Sequence, residues 1–336
     1  MEVNSLDILG FWRGLSGNEL RPGWRSIDLL ETGGCRVKAA RSSPGNEEAI
    51  LLGFPTVRIG ANTPLPRGQG FRMEKAHLGE VGEGCLWLAI VRQPAGSLEL
   101  FAAVASDVVR LLSSSRKMSE KQVYQQVLGR VRSWQEFMRK GREGLSAEAE
   151  LGLVGELYLM REMVEQGVPL FTAVDAWKGP HDGLHDYLLL GGAVEVKTTL
   201  ASEGFPVRIQ SLDQLDDSHS HPLFLAGLRF SSGTVGFSLP HLVKEMRSII
   251  EPDQAAASLF ESALLAAGYL DMHADGYDRK FVFSEMKVYL VDKDFPRLVP
   301  FNIPGAIRRA QYDLDLALVS VESQSMTDVL VHLGVA

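Results

Sequence analysis

The sequence predicts a mixed α/β protein: a mixed central sheet flanked by helices, preceded by a β-rich N-terminal domain. Three observations carry this. Two short apolar runs, residues 187–190 and 193–194, meet at Gly191-Gly192 and read as a hairpin. Both faces of that hairpin are apolar, as in a central strand covered by helices on each side. A helical pattern precedes it, with Leu153, Leu157, Met160 and Val164 at helical spacing. Further upstream, strand-like runs at residues 35–39, 50–54, 85–91 and 98–104 are separated by Gly and Pro clusters.

Taken in order, residues 1–105 are expected to form a β-rich recognition or assembly domain. Residues 106–145 form a basic helical connection, with Val123, Val127, Val131, Trp134 and Met138 on one apolar face. Residues 146–235 form the chemical core. Ser146 is a fitting N-cap, and Glu148 and Glu150 suit the positive end of the helix that follows. Gly152 and Gly155 inside that helix are unfavourable by roughly 1 kcal/mol each relative to Ala, so close approach of the helix to the sheet is their expected use. The hairpin, a strand at 207–210, a short helical turn and a strand at 223–230 complete the core. Residues 236–336 extend it with helices at 241–250 and 255–267 and strand-like runs at 281–291 and 312–319.

The composition is that of a globular protein, with 45% hydrophobic and 23% charged residues. No apolar run approaches the roughly 18 residues of a membrane span. The opening Met1-Glu2-Val3-Asn4-Ser5 lacks the basic and apolar parts of a signal peptide, and Cys35 and Cys85 have no CxxC spacing, so a cytoplasmic protein with reduced thiols is expected. His219 and His221, near Asp216 and Asp217, read as a polar loop rather than a metal site. Residues 271–278 lack the ligand spacing of an EF-hand.

The chemistry concentrates in His185-Asp186 and Glu195-Val196-Lys197. A two-residue Gly191-Gly192 turn would set Leu190 opposite Ala193, Leu188 opposite Glu195 and Asp186 opposite Lys197. Because side chains alternate, Asp186, Glu195 and Lys197 then share one face, and Tyr187, Val194 and Val196 the other. An ExK tripeptide alone is more often a surface ion pair. On an apolar hairpin two acids and a lysine are expensive to bury, and a divalent metal would give them a purpose. Mg²⁺ takes hard oxygen ligands, one or two carboxylates plus water and phosphate. Asp186 and Glu195 are the expected metal ligands, with a backbone carbonyl near Val196 as a third. Lys197 is expected beside the attacking water in phosphodiester hydrolysis.

These residues resemble the PD-(D/E)XK phosphodiesterase superfamily, and the likeness extends beyond them. Gly152-Leu153-Val154-Gly155-Glu156-Leu157, Ala176-Trp177-Lys178-Gly179-Pro180, Glu195-Val196-Lys197-Thr198-Thr199 and the stretch from Ile209 to Gln214-Leu215 come in that order. Phe295-Pro296-Arg297-Leu298, Ile303-Pro304-Gly305 and Tyr312-Asp313-Leu314-Asp315-Leu316 follow. Together they resemble a bacterial family known as PD-(D/E)XK motif proteins, over most of the chain from about Trp134 onward. His185 stands where the superfamily name has proline. The resemblance implies a restriction-endonuclease-like fold and a Mg²⁺-dependent DNA endonuclease, with Mn²⁺ able to substitute. It assigns Glu156 to the metal site, against the alternative of an ordinary helix glutamate. It gives Gln214 a DNA-contacting or supporting role, against that of a helix cap. It also implies a bacterial restriction or phage-defence role beside ATPase, helicase or methyltransferase partners.

Thr198 and Thr199 can donate to a phosphate and are also good strand residues. Trp177 reads as a core anchor rather than a base-stacking platform. Net charge is −8, yet residues 110–143 carry nine basic groups against three acids, a local net of +6. Arg132, Arg139, Lys140 and Arg142 are candidate phosphate contacts in this stretch, which otherwise is a solvated face balancing an acidic neighbour. The overall acidity also suits an enzyme within a larger complex that holds most of the DNA. A homodimer suits double-strand cleavage, since one such site cuts one strand at a time. Two rival readings stand: a non-cleaving DNA-binding or scaffold subunit, and a repair or recombination nuclease.

Overall fold

The computed structural model describes residues 4–17, 20–32, 34–60, 63–68, 70–79, 84–115, 118–140, 144–181 and 183–335, with the backbone alone at Ser114 and Lys140. The chain forms two compact units, Met1–Arg142 and Glu143–Ala336. It is a mixed α/β protein, as its sequence predicts.

In the first unit, β1 (Gly23–Thr32), β2 (Cys35–Ser43), β3 (Glu48–Phe54), β4 (Arg67–Gly68), β5 (Phe71–Ala76) and β6 (Leu86–Arg92) make an antiparallel sheet in the order β1-β2-β3-β6-β5-β4. Three helices pack with it: α1 (Ser5–Gly14), α2 (Leu98–Ser114) and α3 (Glu120–Lys140). Trp12 of α1 stacks on Phe101 of α2, and its indole donates to the Ala49 carbonyl of β3 at 2.9 Å. Residues 98–104, expected as strand, are the start of α2. Ser97 caps it by accepting from the Leu100 amide. The buried residues Phe101, Ala102, Val104, Ala105, Val108, Val109 and Leu112 follow a helical period that a seven-residue window is too short to show.

The apolar face of α3 is as expected, with Val123, Val127, Val131, Trp134 and Met138 all buried. Its charge is arranged differently from a uniform basic stripe. Arg130 is buried and pairs with Asp107, which also takes Arg110 and the Trp134 indole.

In the second unit, β7 (Tyr187–Leu189), β8 (Gly192–Thr199), β10 (Leu223–Gly233) and β11 (Lys280–Leu290) form a sheet in the order β11-β10-β8-β7. β8 and β10 are parallel, and the other pairs antiparallel, so the sheet is mixed. One face packs on α4 (Ala147–Glu165), α5 (Leu170–Ala176), α6 (Leu239–Ile250), α7 (Gln254–Ala267) and α8 (Met326–His332). Ser146 caps α4, accepting from the Ala149 amide. Leu153, Leu157 and Met160 are buried in this core, each worth roughly 1.5–3 kcal/mol over exposure. A two-stranded ribbon, β9 (Pro206–Ile209) with β12 (Tyr312–Asp315), covers the opposite face. Phe205, Val207, Ile209 and Leu316 there meet Ala193, Leu223 and Leu225.

The helix glycines divide. A Cβ at Gly155 would lie 2.0 Å from Thr198 Cγ2, so close approach to β8 requires glycine there, whereas Gly152 has open space.

Candidate active site

The hairpin that carries the acids differs from expectation by two residues. Tyr187 pairs with Val194, Leu188 with Ala193 and Leu189 with Gly192, so Leu190-Gly191 is the turn. Neither Gly191 nor Gly192 has a positive φ. Their lack of a side chain serves packing. A Cβ at Gly191 would meet the Leu333 carbonyl at 2.8 Å, and one at Gly192 the Pro222 carbonyl at 2.1 Å. A slip of two residues conserves the alternation, so Glu195 and Lys197 keep the face they were assigned.

β7 is three residues long, so β8 beyond Val194 has no strand beside it on that side. Asp186 fills the gap. Its Oδ2 accepts the Val196 amide at 2.7 Å. Its own carbonyl accepts from the Lys178 and Gly179 amides at 2.7 and 3.1 Å, which holds the Trp177-Lys178-Gly179-Pro180 segment beneath it. Glu195 is buried, and its Oε1 accepts from Lys197 Nζ at 2.6 Å. Asp186, Glu195 and Lys197 are thus brought together where β7 ends.

Glu156 reaches the same place from α4. Trp177 Nε1 donates to its Oε2 at 2.6 Å, and Tyr187 Oη donates to its backbone carbonyl at 2.7 Å. Trp177 is buried against Phe260, a core anchor that also aims a carboxylate. Gly179 was not singled out in the sequence. A Cβ there would stand 2.8 Å from Asp186 Oδ1 and 3.0 Å from Glu156 Oε2. Glycine keeps the space between the two carboxylates clear. The signal that points to it is its place in the Trp177–Pro180 motif.

The electrostatics are those of crowded acids. Burial, and then repulsion from Asp186, hold the Glu156 carboxyl well above the usual range. The same two causes push Glu195 up to about 8 against the pull of Lys197. Burial raises Asp186 as well, opposed by Lys197 and the Val196 amide. His185 is buried with its Nε2 unpartnered, and burial lowers its pKa while the Gln214 backbone raises it.

The other predicted residues of the second unit are held in structural contacts. Gln214 Oε1 accepts the Gln210 amide at 2.8 Å, closing the turn after β9. The Thr198 methyl packs toward Gly155, and Thr199 Oγ1 accepts the Ala201 amide. In the first unit Arg132 and Arg139 are exposed, and Arg139 pairs with Glu136. Arg142 lies outside the described residues, as does the Lys140 side chain.

Among the described residues no three His, Cys, Asp or Glu side chains form a preformed ligand set. The donors nevertheless fit Mg²⁺, which needs only one or two carboxylates with water and phosphate. They are all hard oxygens, Gly179 leaves room between two of them, and their mutual repulsion is a charge deficit that a dication relieves.

Neither curated proteins nor solved structures give a match to the chain. No helix among the described residues is long and apolar enough to cross a membrane. A family model described as "Putative PD-(D/E)XK family member, (DUF4420)" matches residues 9–317. With Asp186, Glu195 and Lys197 gathered at the end of β7, and with the family model spanning both units, the chain belongs to that PD-(D/E)XK family.

Proposed function

We propose that the protein is a Mg²⁺-dependent DNA endonuclease that hydrolyses phosphodiester bonds. The observation that carries this reading is the convergence of Asp186, Glu195 and Lys197 beyond the short β7, with Glu156 aimed at them by Trp177. Asp186 and Glu195 hold the metal, with the Val196 carbonyl as a further candidate ligand, and Glu156 supports them. When bound, Mg²⁺ supplies Lewis-acid charge that lowers the pKa of a water and stabilises phosphate oxygens. Lys197 Nζ, held at Glu195, is placed to orient the attacking water or to offset negative charge in the transition state. Gly179 leaves uncrowded the Asp186 Oδ1 and Glu156 Oε2 atoms, which a side chain there would press against.

The resemblance of its motifs to the PD-(D/E)XK motif proteins supports a role in bacterial restriction or phage defence, and the acidity of the whole chain supports work beside partners that hold most of the DNA, such as an ATPase, helicase or methyltransferase. Plasmid cleavage with Mg²⁺ or Mn²⁺ tests the chemistry. Metal-dependent nicking that Asp186→Ala and Lys197→Ala both abolish is expected. Equal activity in all three proteins would sink the assignment, and none in the wild type would favour a non-cleaving subunit.

A further inference from the structure

One motif of the sequence has no part in the carboxylate cluster. Residues 295–311 contain three arginines and no acid, in a chain of net charge −8. Both ends of this segment are fixed. Arg297 is buried, and its Nη1 donates to the Leu215 carbonyl at 2.7 Å and meets Asp217 Oδ1 at 2.9 Å. The Leu298 amide donates to Tyr312 Oη at 3.1 Å, and Tyr312 pairs with Ile209 across the ribbon. Inside the loop, Asn302 accepts from the Val299 amide and donates to the Arg297 carbonyl, and a turn joins Ile307 to Pro304.

The turn that bears this loop also backs the candidate site. It runs Leu212–Leu215, and the Gln214 backbone meets the imidazole of His185, the neighbour of Asp186. The loop therefore rises from the same support as the catalytic strand.

What the loop displays is unusual for a surface with no partner. Phe301 is 71% exposed and Ile307 45% exposed. Arg308 and Arg309 are exposed beside them, and among the described residues no acid pairs with either. A firmly held loop with two free guanidinium groups and an exposed aromatic ring, backed by the Arg297 guanidinium 5.9 Å from its centroid, matches a ligand that offers anions and flat apolar faces together. Nucleic acid offers both. An acidic protein surface offers the charge, but nothing here selects its shape.

We propose that the loop of residues 300–311 grips the DNA substrate, with Arg308 and Arg309 on backbone phosphates and Phe301 against a sugar or base. This rests on the nuclease reading above and adds where its substrate is held. The basic helix of the first unit is not needed for it.

The test is binding of a labelled duplex oligonucleotide to the full-length protein, without divalent metal, over a series of salt concentrations. Wild type is compared with Arg308→Ala/Arg309→Ala and with Arg308→Lys/Arg309→Lys. Each lost phosphate contact flattens the dependence of log K on log salt by about 1, so the alanine pair should lower the slope by about 2. Affinity should fall for every duplex sequence alike, the lysine pair should restore the slope, and thermal unfolding should not change. Wild-type slope and affinity in the alanine pair would overturn the inference, as would a wild type that does not bind duplex at all. Intact DNA binding with lost binding to polyglutamate would also overturn it, in favour of an acidic protein partner. A wild type that binds but never cleaves would fail the nuclease reading alone, because the slope comparison still decides the role of the loop.

Discussion

The Val196 amide donates to Asp186 Oδ2 at 2.7 Å, so the residue just before β7 occupies the hydrogen-bonding position beside β8 that β7 does not reach. Asp186 thus has a structural and a chemical task, and one substitution separates them. Asn keeps an oxygen for the Val196 amide and removes the charge. Without metal, Asp186→Asn should unfold at or above the wild-type temperature, because repulsion within the acid cluster is relieved. With Mg²⁺, the wild type should gain stability by roughly 2.7 kcal/mol at about 100 times Kd, and the variant should gain little. Thermal unfolding with Mg²⁺ and with EDTA measures both. An equal Mg²⁺ shift in the two proteins would remove Asp186 from the metal site.

The raised carboxyl pKa values give the metal-free protein a defined pH dependence. Glu195 has a folded value of about 8 against an ordinary 4.5. Between these values the unfolded chain has released a proton that the folded chain retains. Stability therefore falls as pH rises through that window and levels off above about 8. Glu195→Gln should flatten the fall, and Mg²⁺ should reverse it by favouring the ionised form. Denaturant unfolding in EDTA from pH 5 to about 8 is the measurement. Stability that rose with pH in this window, and rose less in the variant, would contradict the burial of Glu195.

Gly179 is the most economical probe of the cleft. Its φ is not positive, so alanine brings no backbone strain. The added methyl would meet Asp186 Oδ1 at 2.8 Å and Glu156 Oε2 at 3.0 Å. Gly179→Ala should fold, lose most of the Mg²⁺-induced stabilisation, and lose cleavage by about 100-fold, the scale of a 1 Å misplacement. Full activity with a normal Mg²⁺ shift would show that the reacting groups do not use this space.

Trp177 holds Glu156 through a single hydrogen bond of 2.6 Å. Trp177→Phe keeps most of the apolar ring and removes the donor. The loss should destabilise the protein by about 2 kcal/mol, most of it from a carboxyl left without its partner. In a Glu156→Ala background the same substitution should have a smaller effect, because the group it strands is gone. Additive effects in the double-mutant cycle would mean that the indole acts through packing alone.

How far the sequence could be read follows from what each signal depends on. The shared face of Glu195 and Lys197 was legible because alternation survives a shift of two residues, whereas the register was not, nor was Asp186 turning its carboxylate to the Val196 amide at the edge of β8. Gly191 and Gly192 look like the two turn residues, yet only Gly191 lies in the turn, and both lack a side chain for the approach of the Leu333 and Pro222 carbonyls, which come from distant parts of the chain. Residues 98–104 misled because a short apolar run fits either period until the window is longer. Arg130 counts as a basic residue in sequence, and only folding turns it toward Asp107. For Gly179 only its place in the Trp177–Pro180 motif is a signal, since its importance lies in Asp186 and Glu156, which reach it from other elements.

The contact between Gly155 and Thr198 offers a test of the architecture that is independent of chemistry. The Gly155 Cα faces β8 so closely that an alanine methyl would lie 2.0 Å from Thr198 Cγ2, well inside contact distance. Thr198 is flanked in the strand by Lys197, so any shift of β8 to accommodate the methyl moves the site too. Overpacking of this kind is unfavourable by about 1–3 kcal/mol, and Gly155→Ala should fall near the upper end. Thr198→Ser removes the opposing methyl and keeps the hydroxyl. On its own it should be mildly destabilising, but in the Gly155→Ala background it should recover half or more of the loss. Denaturant unfolding of the four proteins gives the coupling energy. Gly152→Ala is the control: with open space around its Cβ, it should stabilise the helix by roughly 1 kcal/mol. If Gly155→Ala and Gly152→Ala behaved alike, α4 would not be seated on β8 at Gly155, and Glu156, the next residue, would lose its route to Asp186.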